Sequence, residues 1–307
     1  MKNKNYKVLL YHGVSEYNNF KGIENFSKKH ISKKSFLKQM HFLKKNCNVI
    51  SINEIEKYKK EKEIKKNTVV ITFDDGFENN FKVAVPILKK LNLPCVFYIS
   101  TGMIGKKNMF WVDKIEDIIN RTKIKFIDLY LKKKVRFNLK SKSEKINAVK
   151  KIKKYCKSIS AVKKDKLINN LSIITKIKPS NKYSKNYKVM NWKQVKKIAT
   201  NDLFEIGGHS FNHDILTRLP VSKMKTNIKK SIVPLEKKLN KKIKHYSYPE
   251  GQSSDYNDNI KKYLRTLGVK ICPTAIHGIA KLNDDNFEIK RIMVGINGQK
   301  FPFKNFR

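Results

Sequence analysis

The sequence predicts an α/β fold in which parallel strands alternate with helices and close, or nearly close, into a barrel. Three observations carry this. Seven short apolar runs recur along the chain, most of them separated by amphipathic helical stretches, which is the rhythm of parallel βα units. Polar residues collect just after several of those runs, where the working end of a barrel lies, and this favours a barrel over an open doubly wound sheet. The chain of 307 residues is 40% hydrophobic with a mean hydropathy of -0.56, enough to bury one large core while remaining polar outside.

Taken in order, "KVLLYH" (7–12) is the first strand candidate. "SKKSFLKQMHFLKKN" follows as a helix with Phe36, Met40 and Leu43 on one face. "VVITF" (69–73) is the second strand, then a helix over "KVAVPILKKLN" and a strand over "PCVFYIS" (94–100), where Pro94 suits a first strand position. The remaining candidates are "LFEIGG" (203–208), "KHYSYP" (244–249), "VKICPTA" (269–275) and "FEIKRIMV" (287–294). Helices over "SKMKTNIKKSIVPLEKKLN" and "DNIKKYLRTLG" separate the middle three. Residues 110–190 break the rhythm. "FWVDKIEDIINR" reads as a helix burying Trp111 and Ile115, and lysine-rich helices follow at about 143–157 and 161–176. A polar stretch then leads to the helix "NWKQVKKIA". We expect a helical insertion over 110–190, capping the site mouth, within a single domain spanning 1–307.

Composition excludes several classes. No run reaches the length of a transmembrane span. The N-terminus has too short an apolar stretch for a secretory signal, so the expected location is the cytoplasm, with peripheral attraction to the inner membrane face. The cysteines Cys47, Cys95, Cys156 and Cys272 have no C-x-x-C spacing and read as buried thiols. The net charge of +44 would suggest nucleic acid, but only six of the 69 basic residues are arginines. Arginine is the residue that reads bases and clamps phosphates, so the lysines read as solvated helix faces and no specific nucleic acid is expected. A surface this basic should still attract anionic membranes and nucleotide- or lipid-diphosphate-linked sugars. The sequence carries no signal of oligomeric state.

Chemistry concentrates at two strand ends. "VVITFDDGFENN" (69–80) drives an apolar run into adjacent carboxylates, Asp74 and Asp75. A surface turn would explain such a pair, and a metal site would explain it better if partners exist elsewhere. They exist in "EIGGHSFNHDIL" (205–216), where His209 and His213 stand four apart after a strand and two glycines. On a helical turn that spacing puts both imidazoles on one face. Two histidines and one aspartate leave open positions on a divalent ion, zinc first, with cobalt, nickel or iron also accommodated. Such an ion lowers the pKa of bound water and polarises a carbonyl, and a neighbouring carboxylate can take the water's proton.

These residues resemble the NodB-homology polysaccharide deacetylases (carbohydrate esterase family 4). The family's first motif stands here as "TFDDG", the second as "HSFNH" and the third as "YSYPEG". "LLYHGV" is similar to the family's opening strand and "FEIKRIMV" to its closing segment. The resemblance covers most of the chain, least so over 112–190. It implies a distorted (β/α)7 barrel, Asp74 as catalytic base, and Asp75, His209 and His213 as metal ligands. It also implies a backbone oxyanion donor between Pro249 and Gly251, although Gly251 reads equally as a plain turn glycine. The family's late L-x-H motif, whose histidine protonates the leaving amine, has no counterpart. His277 in "CPTAIHG" is the candidate for that acid, or a loop histidine without a role. The family's motif-three arginine position is Tyr246 here, and Arg291 either orients Asp74 in its place or makes a structural salt bridge. Tyr246 and Tyr248 line the substrate groove or pack in the core. His12 touches substrate or is hydrogen-bonded within the barrel mouth.

The expected function is removal of N-acetyl groups from an amino sugar. The expected location makes the substrate a nucleotide- or lipid-linked precursor of a surface polysaccharide. The alternatives are hydrolysis of another small amide on the same site, a non-catalytic glycan-binding module, or a basic nucleic-acid-binding protein.

Overall fold

The computed structural model describes residues 2–106 and 108–306. The chain forms two compact units, one of Met1–Tyr17, Ser27–Lys106 and Val189–Arg307, the other of Asn18–Phe26 and Lys107–Lys188. In chain order the first unit starts with β1 (Asn5–Tyr11), β2 (Gly13–Ser15), β3 (His30–Ser32), α1 (Lys33–Asn46) and β4 (Asn48–Val49). It continues with α2 (Ile55–Glu61), β5 (Thr68–Phe73), a π turn at Asn80–Ala84, α3 (Val85–Lys90) and β6 (Cys95–Ile99). The second unit contributes α4 (Trp111–Arg121), β7 (Phe126–Tyr130), β8 (Lys134–Asn138), α5 (Lys142–Ser158) and α6 (Ala161–Thr175). The first unit then resumes with α7 (Trp192–Ala199), β9 (Phe204–Gly208), α8 (Val221–Leu239), α9 (Asp258–Thr266), β10 (Ala280–Lys281) and β11 (Ile292–Met293).

The main sheet has seven strands, and all of its pairings but one are parallel. β5 is its centre and is buried at every position, as a strand covered on both faces must be. It pairs with β1 (Tyr11 opposite Phe73) and with β6 (Phe73 opposite Phe97), and β6 pairs with β9 (Ile99 opposite Gly208). This register brings the C-terminal ends of four strands to one end of the ring. His12, Asp74, Ser100 and His209 are the first residues past them.

The sheet is the expected mostly parallel α/β architecture of a distorted (β/α)7 barrel, with a correction to its strands. Segments 244–249 and 269–275 are not strands; they join the ring through single parallel bridges, Gly208 to Tyr246 and His245 to Ile271. A third bridge, His277 to Arg291, leads to β11, which pairs with Leu9 and Leu10 of β1. Prolines explain part of this, because Pro249 and Pro273 withhold the N–H that a longer ladder needs. The two-residue strands β4 and β10 complete the count of seven, β10 running antiparallel along the same edge of β1 as β11.

Local rules account for the helices. Ser32 caps α1 by accepting from Ser35 N, and Phe36, Met40 and Leu43 are buried at the spacing of one helical face. Pro234 lies inside α8, where it leaves the Lys230 carbonyl without its helical donor. The Thr101 hydroxyl, just past β6, donates to that carbonyl at 2.8 Å instead.

The second unit has a core of its own built on Ile115, Ile118 and Ile119 of α4, Val149 and Ile152 of α5 and Leu171 of α6. It also contains the β7–β8 hairpin, where only helices were expected; Ile127 and Leu129 alternate inward on β7. All four cysteines are free thiols, and three of them, Cys95, Cys156 and Cys272, are buried. Among the described residues no helix is long and apolar enough to cross a membrane.

Candidate metal centre

The strand β5 ends in a sharp backbone reversal. Asp74 N still continues the ladder, donating to Tyr11 O at 2.9 Å, but Asp75 has φ 77° and Gly76 φ 86°. A non-glycine residue at positive φ carries strain of about 1–3 kcal/mol, and such strain clusters at functional sites. Here the reversal points two consecutive carboxylates into one buried space, each side chain nearly inaccessible to solvent.

The histidine loop is built the same way, which corrects the helical turn expected from the i,i+4 spacing. Residues 209–213 are not helical; Ser210 has φ 55° and His213 φ 59°. His209 N donates to Ile99 O at 3.0 Å, Ser210 N to the Tyr246 hydroxyl at 2.8 Å and Phe211 N to Asn227 Oδ1 at 2.8 Å. Those three donations hold the loop so that both Nε2 atoms face Asp75. His209 Nε2 lies 3.5 Å and His213 Nε2 3.2 Å from Asp75 Oδ1. One ligand atom from each of the three residues falls within 4.8 Å of the others, and all three residues are buried.

The donor set fits a divalent cation. Asp75 Oδ1 is buried with no hydrogen-bond donor among the described residues other than the facing imidazole nitrogens. His209 Nδ1 lies 2.8 Å from the Ser247 carbonyl, an acceptor only. That contact places the ring proton on Nδ1 and leaves the Nε2 lone pair for an ion, the usual support for a metal-binding histidine. Burial would raise the Asp75 carboxyl, but His213 and His209 hold it well below the usual range. His213 is raised in spite of its burial, chiefly by Asp75.

Asp74 stands beside this cluster with a different partner. Arg291, fully buried, grips it through both guanidinium nitrogens, Nη1 to Oδ1 at 2.8 Å and Nη2 to Oδ2 at 2.7 Å. The guanidinium is itself fixed by the Thr72 hydroxyl at 3.2 Å, the Thr274 carbonyl at 2.5 Å and Ser247 Oγ at 2.9 Å. Burial pushes the Asp74 carboxyl up, yet the Arg291 charge with His209 brings it below the ordinary value. This buried bidentate pair is compatible with both roles expected for Arg291, orienting Asp74 and making a structural salt bridge.

The other expected residues divide. His12 follows β1 and its Nδ1 is buried without a hydrogen-bond partner among the described residues. Burial pushes its pKa down to about 4, against the pull of Asp75 and Asp74. Tyr246 and Tyr248 lie fully inside the core. Tyr246 serves the site from beneath, its hydroxyl receiving Ser210 N, while the Tyr248 hydroxyl donates to Phe287 O at 3.2 Å and its ring stacks on Tyr256. Neither ring presents a face to a sugar. Pro249 is buried, and Gly251 has φ 63° with no room for a Cβ, which would meet Ala275 N at 2.7 Å. The Gly251 N–H is engaged with Pro249 O at 2.7 Å. His277 has an exposed ring, although its backbone runs beside that of Arg291.

Two residues near the site were not anticipated. His30 is buried against Gly13, where a Cβ would meet its Nδ1 at 1.8 Å, and its ring nitrogen lies 3.0 Å from Asn79 Nδ2. Ser247 touches Asp74, Arg291 and His209 at once. Its signal was alternation: in an extended segment, two buried tyrosines at 246 and 248 put residue 247 on the opposite side.

Comparison with known proteins agrees with this site. A polysaccharide deacetylase family model matches residues 61–129 and 157–272. The poly-beta-1,6-N-acetyl-D-glucosamine N-deacetylase of Staphylococcus aureus is 34% identical over 119 residues, 35% of this chain and 40% of that enzyme. The chain thus matches about two fifths of the length of that curated relative. Two solved structures share the fold at low identity. They are the Streptococcus pyogenes deacetylase PplD (TM-score 0.60, 17% identity, 96% of this chain and 94% of that one) and a de-N-acetylase from Aggregatibacter actinomycetemcomitans (0.60, 19%, 99% and 100%). The family match spans more than half of the sequence and takes in both the aspartate pair and the histidine pair, and on that ground the chain belongs to the polysaccharide deacetylase family.

Proposed function

We propose that this protein is a metal-dependent N-deacetylase of an N-acetylated amino sugar. The observation that carries the reading is the buried Asp75–His209–His213 donor set beside a second carboxylate, Asp74, which Arg291 grips through two hydrogen bonds. When bound, a divalent ion (zinc first, with cobalt, nickel or iron as further choices) would activate water and polarise the acetamide carbonyl. Asp74 takes the proton of the attacking water on a carboxylate oxygen, and the Arg291 fork holds that oxygen in place. The departing amine must receive a proton. His12 is the better placed donor, because it stands at the barrel end within the field of both aspartates, whereas the His277 ring faces outward. Its low pKa keeps the ring neutral at pH 7, so the proton delivered is the one Asp74 took from the attacking water: one ring nitrogen accepts it as the other releases its own to the amine.

The relatives' names point to β-1,6-linked N-acetylglucosamine oligomers as the first substrates to try. Nucleotide-linked and lipid-linked N-acetyl sugars follow, as the substrates a cytoplasmic enzyme would meet. The second unit interrupts the first at two places, which supports reading it as an insertion in one catalytic domain. The test is acetate release from that panel with added divalent metal. We expect release that is abolished by chelation and by Asp74→Asn, and lowered more by His12→Gln than by His277→Gln. No release from any member, with metal shown to be bound, would overturn the reading.

A further inference from the structure

The Ser247 side chain and backbone meet the two halves of the centre in different ways. Its N–H donates to Gly208 O at 2.9 Å, and its carbonyl accepts from His209 Nδ1 at 2.8 Å, so the backbone sets the angle of a metal-ligating ring. Its hydroxyl donates to Asp74 Oδ2 at 3.3 Å and accepts from Arg291 Nη2 at 2.9 Å. The residue is fully buried, so water does not compete for either bond. The Arg291 fork alone would let the Asp74 carboxylate rock about the axis of the pair. The hydroxyl adds a further contact to Asp74 Oδ2, and its parent backbone is tied to His209.

We propose that Ser247 is a positioning residue that fixes the Asp74 carboxylate relative to the ligand His209, with the hydroxyl acting on the base and the carbonyl on the ligand. This rests on the deacetylase reading above. Separation of the two effects is its signature, because Ser247→Ala removes the hydroxyl and keeps the carbonyl.

The experiment compares wild type, Ser247→Ala and Ser247→Thr. It measures steady-state kinetics on the oligomer or sugar the wild type turns over, and Co²⁺ affinity and visible absorption of the loaded protein. A bond to a charged partner predicts a fall in kcat of about ten- to a hundredfold for Ser247→Ala, with KM unchanged within about twofold. Co²⁺ affinity and spectrum should match wild type, and Ser247→Thr, which keeps the hydroxyl, should recover most of the rate. A kcat within twofold of wild type would sink the proposal, as would a spectrum that changes in step with kcat, which would mark a merely structural role. Should the wild type release no acetate, the functional reading fails, and a melting-temperature cycle of Ser247→Ala with Asp74→Ala decides this inference alone. Non-additive shifts support it and additive ones overturn it.

Discussion

Both units bury carboxylates, and they use them for opposite ends. In the second unit, Asp117 accepts the Arg121 fork at 2.8–2.9 Å and also Ser180 N at 3.0 Å. Glu116 receives Asn25 N at 2.9 Å, Lys153 Nζ at 3.0 Å and the Tyr187 hydroxyl. Those oxygens meet donors that tie α4 to four other stretches of chain, so the charge is spent on holding the unit together. In the first unit, Asp75 is as deeply buried, yet its Oδ1 faces two imidazole nitrogens and no other donor among the described residues. A buried acid with its valences filled by fixed donors is architecture; one aimed at two imidazoles that could share an ion with it is a candidate site.

The sharpest way to break that contrast is to remove one acid from each unit. Asp75→Asn should weaken divalent-metal binding by at least about a hundredfold, since loss of even a supporting contact costs ten- to a hundredfold. With an ion at a hundred times its Kd, wild type should gain about 2.7 kcal/mol of stability and the variant should not. Glu116→Gln should leave metal affinity at the wild-type value and cost about 2–3 kcal/mol through bonds lost to charged and backbone donors. Metal titration by calorimetry together with urea unfolding separates the two. If Glu116→Gln altered metal affinity, or Asp75→Asn kept it, the division of labour would be wrong.

A second difference is acid sensitivity, because all seven histidines lie in the first unit. His245 is a usable reporter: its Nε2 lies 2.7 Å from Asn53 Oδ1, and neither Asp75 nor the other two residues of the candidate metal cluster contributes to its shift. Burial, with Lys244 nearby, pushes its pKa down to about 3, against an unfolded value of about 6.5. Above pH 6.5 the ring is neutral in both states and stability is complete. As pH falls from there towards 3, only the unfolded chain takes up the proton, and stability drops by up to about 1.4 kcal/mol per pH unit. Urea unfolding between pH 7 and 4.5 should show a slope to which His12 and His30 also contribute, and His245→Gln should lower it by His245's share. An unchanged slope in the variant would assign the acid sensitivity to other groups.

What the sequence disclosed follows the range of the interactions involved. Asp74, Asp75, His209 and His213 were legible because each pair is local in sequence and sits at the end of an apolar run. Five of the seven predicted strands were legible for the same reason. Segments 244–249 and 269–275 read as strands by composition, but what they form is single bridges set by partners far along the chain. The two-residue strands β4 and β10 fall below any sequence pattern. The β7–β8 hairpin carried a period-two signal at Ile127 and Leu129 that the surrounding lysines obscured. Arg291 could be suspected as a partner of Asp74 from its place in the closing segment, yet only closure of the ring over more than 200 residues decides it. The helical turn proposed for His209 and His213 failed because spacing alone does not reveal a loop bent through positive φ.

The smallest predicted effect tests how the barrel repairs its own irregularity. Pro234 deprives the Lys230 carbonyl of its helical donor, and Thr101 supplies one from the loop after β6, the same end of the ring that carries the candidate metal cluster. Thr101→Val removes the hydroxyl at nearly constant volume and should cost about 1–2 kcal/mol, the penalty for an unmet buried acceptor. In a Pro234→Ala background residue 234 regains an N–H that can reach Lys230 O, so the same Thr101→Val change should cost less than half as much. Melting temperatures of the four proteins give the coupling directly. Equal costs in both backgrounds would mean that Thr101 is held by packing and that the proline's missing bond is met in some other way. A cost that vanishes only when Pro234 is replaced would show that the Thr101 hydroxyl offsets the helix's missing donor, beside the loop that Gly102 fastens to Phe211 within the histidine turn.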